Sequence, residues 1–351
     1  MNSDPLSPEL ALRVAVEGAL YLARSLDAQG RFQYWRPASN LPSIPDVYES
    51  NRHFLAATAL YDMGKLVQSS QLLEAGHRAL SYGVATFVKP FQDVACVISS
   101  REIVLGGAGL AISAMAAAPD HPDAEQHKQI AQSLGKYILS QARGDGDFVH
   151  VRGYPISAEM PVTSRLFSWQ ALLGLVSLSQ FVAQPSWGEF AASSAKLLSR
   201  SKPAPNLHSY YALYLISRLP GLLDDPSVHK LSDGIIRDLL KPTGGDGPVP
   251  GRKWLVTTLA CGCEGLLAWL RGTNDGGDVG RRAVERRVES NLISLLKLRN
   301  GDGSFVSDPG RTDVRIDYVQ HSVFAFAAYY MFRLATDQSD ASAATQNKRG
   351  P

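Results

Sequence analysis

The sequence predicts an all-α protein, a closed (α/α)6 toroid of six helical hairpins and about twelve helices. Three observations point to it. Apolar residues recur at helical spacing along nearly the whole chain. One loop motif recurs four times. The repeat is longer than open solenoids use.

The helical pattern covers Leu10–Leu26, Arg52–Met63, Gln71–Thr86, Gly106–Ala117, Glu125–Gln141 and Ser164–Val182. It continues over Gly188–Leu198, Leu207–Ser217, His229–Leu240, Thr257–Leu270, Val279–Leu298 and Tyr318–Ala335. In the first segment Leu12, Val16, Leu20 and Ala23 make one stripe, the mark of a helix with one buried face. Small residues between large ones suit close helix packing. No series of alternating strand patterns stands out.

The recurring loops are LDAQGRF, ARGDGDF, TGGDGPV and RNGDGSF, with matched glycines Gly30, Gly146, Gly247 and Gly303. Their intervals are 116, 101 and 56 residues. In steps of about 50–58 residues these are two, two and one units, so the chain holds six. Glycine permits a positive φ past a helix end, and the nearby Asp can bond the loop backbone. The following Phe is expected to anchor the loop. Open solenoids repeat every ~34–47 residues, so the longer period favours a ring whose inner helices surround a funnel. Residues 1–336 read as one toroid domain, and the polar stretch 337–351 as a disordered tail.

Composition removes several function classes. The 351 residues are 45% hydrophobic, enough for a large core. Formal charge is +2, charged residues make up 19%, and no basic block tracks a phosphate backbone, so nucleic acid is not expected as a partner. The opening MNSDPLSPELALRVAVEG has acids and no basic segment, unlike a secretory signal. No uncharged apolar run reaches the ~18–20 residues of a membrane span. The three cysteines, Cys96, Cys261 and Cys263, suggest reduced thiols and a cytoplasmic location.

Reactive side chains gather at helix starts. In VRIDYVQHSVFAF, Arg315, Asp317, Tyr318 and His321 interrupt a buried-helix pattern. Tyr318 and His321 are three apart and share a face. Asp317 either caps the helix or orients His321, and a base held by a carboxylate suits proton abstraction. In DVYESNRHFLAATAL, Arg52 shares a face with Tyr48 and Glu49 and can clamp a substrate carboxylate. Tyr48 and His53 can move protons there. The plainer alternatives are a capped helix with Arg52 paired to Glu49 or Asp46, and a core histidine beside an Arg–Asp pair.

Glu264 sits in the apolar run TTLACGCEGLLAW, and a buried carboxylate needs a partner or a raised pKa. It is an acid/base candidate, or a clamp for Arg252 or Arg315. Cys261 and Cys263 are two apart, fall on different helical faces and read, with Cys96, as packing residues. His208 and Tyr211 in LHSYYALYLI can face the cavity together. Arg101 and Glu102 precede Gly106, Gly107 and Gly109, whose spacing is not a nucleotide loop and suits tight helix packing. Arg165 and Trp169, one turn apart, can form a cation–π shelf under a ring substrate or a surface pair. His150 can reach the rim, whereas His77, His121, His127 and His229 read as solvated.

YESNRHFLAATAL, VLGGAGLAISAM, TTLACGCEGLLAW and DVRIDYVQHSVFAF, with the loop-Phe repeats, resemble a bacterial (α/α)-toroid family. It is similar to the catalytic domain of D-glucuronyl C5-epimerases, within the six-hairpin, terpene-cyclase-like set, over Leu10 to Ala335. Some features of that wider set are missing. The DxDD acid motif and the QxxxGxW repeats are absent. Asp224-Asp225 precede a Pro and do not make DDxxD. The zinc ligands of prenyltransferases and lanthionine cyclases are not matched either.

The resemblance implies a cofactor-independent epimerase or isomerase; no motif suggests a nucleotide or flavin, and no local spacing argues for a metal, whose part is left open. The enzyme would abstract a proton beside a carboxyl or amide group of a sugar- or peptide-like biosynthetic intermediate. His321, Tyr318, Asp317, Tyr48, His53, His208 and Glu264 are the catalytic candidates. Arg52, Arg315, Tyr211, Arg101, Glu102, Arg165 and Trp169 are the binding candidates. The expected partner is a small-molecule, oligosaccharide or peptide substrate, and the oligomeric state is left open. The alternatives are a carbohydrate lyase or glycoside hydrolase, a cyclase of an apolar substrate, and a non-catalytic binding module.

Overall fold

The computed structural model describes residues 6–36, 48–201, 210–241, 255–273 and 280–347. Among them are twelve α-helices. They are α1 (Pro8–Arg24), α2 (Ser50–Leu66), α3 (Ser70–Phe87), α4 (Leu105–Ala117), α5 (Ala124–Ser140) and α6 (Arg165–Phe181). The chain continues with α7 (Ser186–Arg200), α8 (Tyr210–Arg218), α9 (Pro226–Leu240), α10 (Leu255–Gly272), α11 (Arg281–Leu296) and α12 (Ile316–Asn347). Each overlaps a segment read from the periodicity.

The even-numbered helices form the inner ring. α2 packs on α4, α4 on α6, α6 on α8, α8 on α10 and α10 on α12, and α12 closes on α2. The odd-numbered helices lie outside: α1 on α12 and α2, α3 on α2, α5 on α4, α7 on α6 and α11 on α10. Outer and inner helices alternate along the chain, so the inner ones run the same way and their N-termini share one end. This is the (α/α)6 toroid. At one crossing the backbones nearly touch. A Cβ on Gly174 would stand 2.4 Å from the Cα of Gly109, so α4 and α6 meet through glycines.

The loop motif carries the chain from an outer to an inner helix. Three copies close alike, through the bridges Leu26–Phe32, Ala142–Phe148 and Arg299–Phe305. Gly30, Gly146 and Gly303 have φ of 93°, 86° and 88°, which only glycine adopts without strain. Asp27, Asp145 and Asp302 each accept a backbone N–H of their loop through Oδ1. Phe32, Phe148 and Phe305 are buried. These loops enter α2, α6 and α12, the inner helices of the first, third and sixth hairpins. The Gly247 loop lies outside the described residues.

Six short strands were not expected. β1 (Trp35–Arg36) pairs antiparallel with β6 (Val314–Arg315), and Ile316 N–H donates to the Tyr34 carbonyl at 3.1 Å. This sets the start of α12 beside the approach to α2. β2 (Val88–Phe91), β3 (Val94–Ser99), β4 (Glu102–Val104) and β5 (Val151–Gly153) form an antiparallel sheet in that order. Strands of two to six residues are too short to show alternation, and β3 is covered by α5. α12 runs on to Asn347, so residues 337–347 are helical.

Candidate active site

α12 carries its reactive residues into two adjoining polar clusters. The first ties the start of α12 to the start of α2. Arg315 Nε and Nη2 donate to Asp317 Oδ1 and Oδ2 at 2.5 and 2.7 Å. Arg52 Nε lies 3.4 Å from the same carboxylate, and Arg52 also pairs with Glu49 at 3.0 Å and with the Tyr34 hydroxyl. Burial works against the Asp317 charge, but Arg315 and then Arg52 hold its pKa below the usual carboxylate value. Asp317 therefore orients guanidinium groups rather than His321. Tyr318 lies under the Arg315 guanidinium, 4.7 Å from its ring centroid, and its hydroxyl donates to Asp313 at 3.5 Å.

The second cluster lies one turn further along α12. His321 donates Nδ1–H to Glu264 Oε1 at 2.7 Å, and Tyr214 donates its hydroxyl to Oε2 at 3.1 Å. Cys261, one turn before Glu264 on α10, brings its thiol within 4.8 Å of a Glu264 oxygen and a His321 nitrogen, and the Tyr210 ring stands edge-on to His321 with centroids 6.2 Å apart. The Tyr211 ring packs on Tyr210 with centroids 4.4 Å apart. The cluster thus draws on three inner helices, α8, α10 and α12.

Its electrostatics follow from burial. Burial works against a charged His321, yet Cys261 and Glu264 more than offset it and raise its pKa well above 6.5. Burial also raises the Cys261 thiol and keeps it neutral, so the Glu264 carboxylate is the charge that holds the proton. Tyr211 is pushed up to about 12, and Tyr210 and Tyr214 well above 10, all chiefly by burial. The tyrosines keep their protons at neutral pH.

Several expected site residues have other duties. Tyr48 donates its hydroxyl to His53 Nδ1 at 2.8 Å and accepts Phe32 N–H at 2.9 Å, while His53 donates Nε2–H to the Ala79 carbonyl at 2.7 Å. Burial lowers the His53 pKa to about 4, so the ring is neutral and part of the core. Arg165 donates to the Leu198 carbonyl and to Ser201 at the end of α7, and Trp169 is buried, so no shelf forms between them. Arg101 is exposed in the β3–β4 turn and Glu102 pairs within the sheet. Among the described residues, no hydrogen bond or ion pair joins either to the two clusters. His208, Asp46 and Arg252 lie outside the described residues.

His150 is buried too. Its Nδ1 accepts Ser164 N–H at 3.2 Å, and its Nε2 lies 3.1 Å from Asp147 and 2.8 Å from Ser168. Ser168 donates to Asp147, which burial opposes but hydrogen bonds from His150 and Ser168 bring down to about 2. This triangle fastens the loop before α6 and leaves no activated hydroxyl.

Sequence reasoning missed Cys261, Tyr214 and Tyr210. A signal existed for the first. Cys261 and Glu264 are three apart on one helix and therefore share a face. Cys261, Glu264 and His321 also place one donor atom each within 4.8 Å of one another, so they could hold a metal ion.

No known family model matches the chain, and no curated protein matches it either. Solved structures share its fold. A D-mannose isomerase superposes with a TM-score of 0.70 at 10% identity, over 93% of this chain and 98% of that one. The cellobiose 2-epimerase from Spirochaeta thermophila gives 0.68 at 13% identity, over 94% and 100%. An α-1,6-mannanase from Salegentibacter gives 0.65 at 11% identity, over 92% and 99%, and an inactive variant of it is in complex with α-1,6-mannotriose. Identities this low establish the architecture, which hosts both isomerising and hydrolysing enzymes. No described helix is long and apolar enough to cross a membrane.

Proposed function

We propose that the protein is an epimerase or isomerase of a sugar or a sugar- or peptide-like intermediate. It would move a proton at a carbon beside a carboxyl, amide or carbonyl group. One observation carries this reading: a buried imidazole, His321, is fixed by a buried carboxylate, Glu264, within the inner ring. The isomerase and the epimerase that share the fold support it.

In the proposed step the neutral form of His321, which grows as pH rises toward the raised pKa, takes the C–H proton on Nε2, because Nδ1–H is engaged with Glu264. Glu264 stabilises the imidazolium that forms. Tyr211, which keeps its proton at neutral pH, donates it to the carbanion, and solvent reloads both groups. Arg52 and Arg315 are the candidate holders of a substrate carboxylate beside Asp317. Tyr48, His53 and Tyr318 are assigned structural roles. Acid–base steps of this kind contribute about 10²–10⁴-fold.

Glycoside cleavage is the second reading, favoured by the mannanase neighbour. It needs one carboxyl to carry a proton and a second carboxylate across the bond. Asp317 is held ionised by two guanidiniums and Glu264 is committed to His321 and Tyr214, so the described clusters suit proton abstraction better. A non-catalytic module would also tie up Arg52, Arg315 and His321 in internal ion pairs. The two readings part on activity.

The test is incubation in heavy water with pooled sugars and uronic-acid oligosaccharides. Deuterium gained at one carbon, lost in His321→Ala and Tyr211→Phe, supports the proposal. Fragments or loss of water would move the assignment to a hydrolase or lyase. We further propose a cytoplasmic location, supported by three free, buried thiols. We also propose a single toroid domain over residues 1–336.

A further inference from the structure

A second group of polar side chains stands outside the clusters described above. His121 and Asp123 lie in the link between α4 and α5, His127 in the first turn of α5, and His77 and Ser81 on α3. The sequence reading has these histidines solvated, yet His121 and His127 are 5% and 2% exposed. The rings crowd together, with centroids 4.9 Å apart for His77–His121 and 4.4 Å for His121–His127. Helix ends and aromatic packing bring them there, but packing alone does not satisfy their nitrogens.

One imidazole nitrogen each of His121 and His127 and a carboxylate oxygen of Asp123 lie within 4.8 Å of one another. His127 Nδ1 is buried without a hydrogen-bond partner. A buried ring nitrogen left unpaired is unfavourable, and a bound cation would satisfy it. His121 is set up differently. Its Nδ1 accepts Asp123 N–H at 3.0 Å, so the ring proton sits on Nε2 and is donated to Ser81 Oγ at 3.1 Å. Metal-ligating histidines typically donate their second N–H in this way, which fixes the tautomer. Asp123 Oδ2 lies 3.8 Å from His121 Nδ1.

We propose that His121, Asp123 and His127 form a site for a first-row divalent cation of the zinc type. Two imidazoles and one carboxylate are the donors such ions select, whereas calcium and magnesium take oxygen sets. The cation would occupy the unpartnered lone pair of His127 and replace the Asp123 amide at His121 Nδ1. Exposed Asp123 gives it a route in. Because Ser81 holds His121, the ion would fasten α3 to the start of α5 and stiffen the link between them. This role is independent of the chemistry at His321.

The test is calorimetric titration of metal-stripped full-length protein with Zn²⁺ alone, paired with Co²⁺ absorbance. One site is expected. Asp123→Asn and His127→Gln should each weaken it at least about tenfold, and the Co²⁺ spectrum should lack a thiolate charge-transfer band. Asp123→Asn alters an exposed side chain, so it informs even if His127→Gln does not fold. Absence of binding overturns the proposal. So does binding that both variants leave unchanged. A thiolate band abolished by Cys261→Ser would place the ion at Cys261, Glu264 and His321, and also overturns it.

Discussion

His321 on α12 and Glu264 on α10 meet at 2.7 Å between two buried side chains, joining the last two helices of the inner ring. A buried imidazolium needs that carboxylate, because desolvation alone would strip its proton.

Glu264→Gln removes the charge that holds the proton. The raised His321 pKa should fall, because burial is then opposed by less, and catalysis by a neutral His321 base should reach its plateau at lower pH than in the wild type. Breaking a buried pair should also cost about 3–5 kcal/mol. A pH profile of kcat/KM with a urea melt measures both. The stability supplied by the pair is present at acid and neutral pH and is lost as pH rises through the raised His321 pKa.

Asp317→Asn leaves Arg52 and Arg315 facing each other without their shared carboxylate. A loss of about 3–5 kcal/mol is expected in denaturant unfolding. In the wild type the Asp317 contribution is complete above its unfolded pKa of about 3.9 and fades as pH falls through its depressed native value.

His53 titrates the other way from His321. Its native pKa is about 4, against 6.5 in the unfolded chain, so unfolded protein binds more protons between those values. Stability should therefore fall by roughly 3 kcal/mol as pH drops from 6.5 to 4. His53→Gln should flatten that slope in melts taken across the window, while lowering stability at pH 7.

Gly303→Ala tests the repeated loop. A Cβ there would stand 2.4 Å from the Glu17 carbonyl oxygen, at φ 88°. The variant should lose more than about 1 kcal/mol in thermal or urea unfolding, against nearly no change for Gly301→Ala, which has open space.

The ring was legible because its signals are local. Apolar stripes mark each helix, and the intervals between Gly30, Gly146, Gly247 and Gly303 count the hairpins. The small sheet was not, because its strands of three to six residues are too short to show alternation and its last pairing, β4 with β5, joins two hairpins. The site was half legible. An isolated acid in an apolar helix pointed to Glu264, and His321 stood out likewise. Their mutual bond could not be read, because 57 residues separate them and only ring closure joins α10 to α12. Asp317 looked like the natural partner of His321 by proximity in sequence, yet it turns to Arg315 and Arg52. Tyr48 and His53 carry reactive groups, but each is consumed by the other.

The most direct measurement is deuterium incorporation from heavy water into a sugar or uronic-acid substrate, compared between the wild type and His321→Ala. Gain of deuterium at one carbon without cleavage, reduced about 10²-fold or more in the variant, is the expected result. Equal incorporation by both proteins, or products cleaved without exchange, would contradict the assignment of His321 as the base of an epimerase.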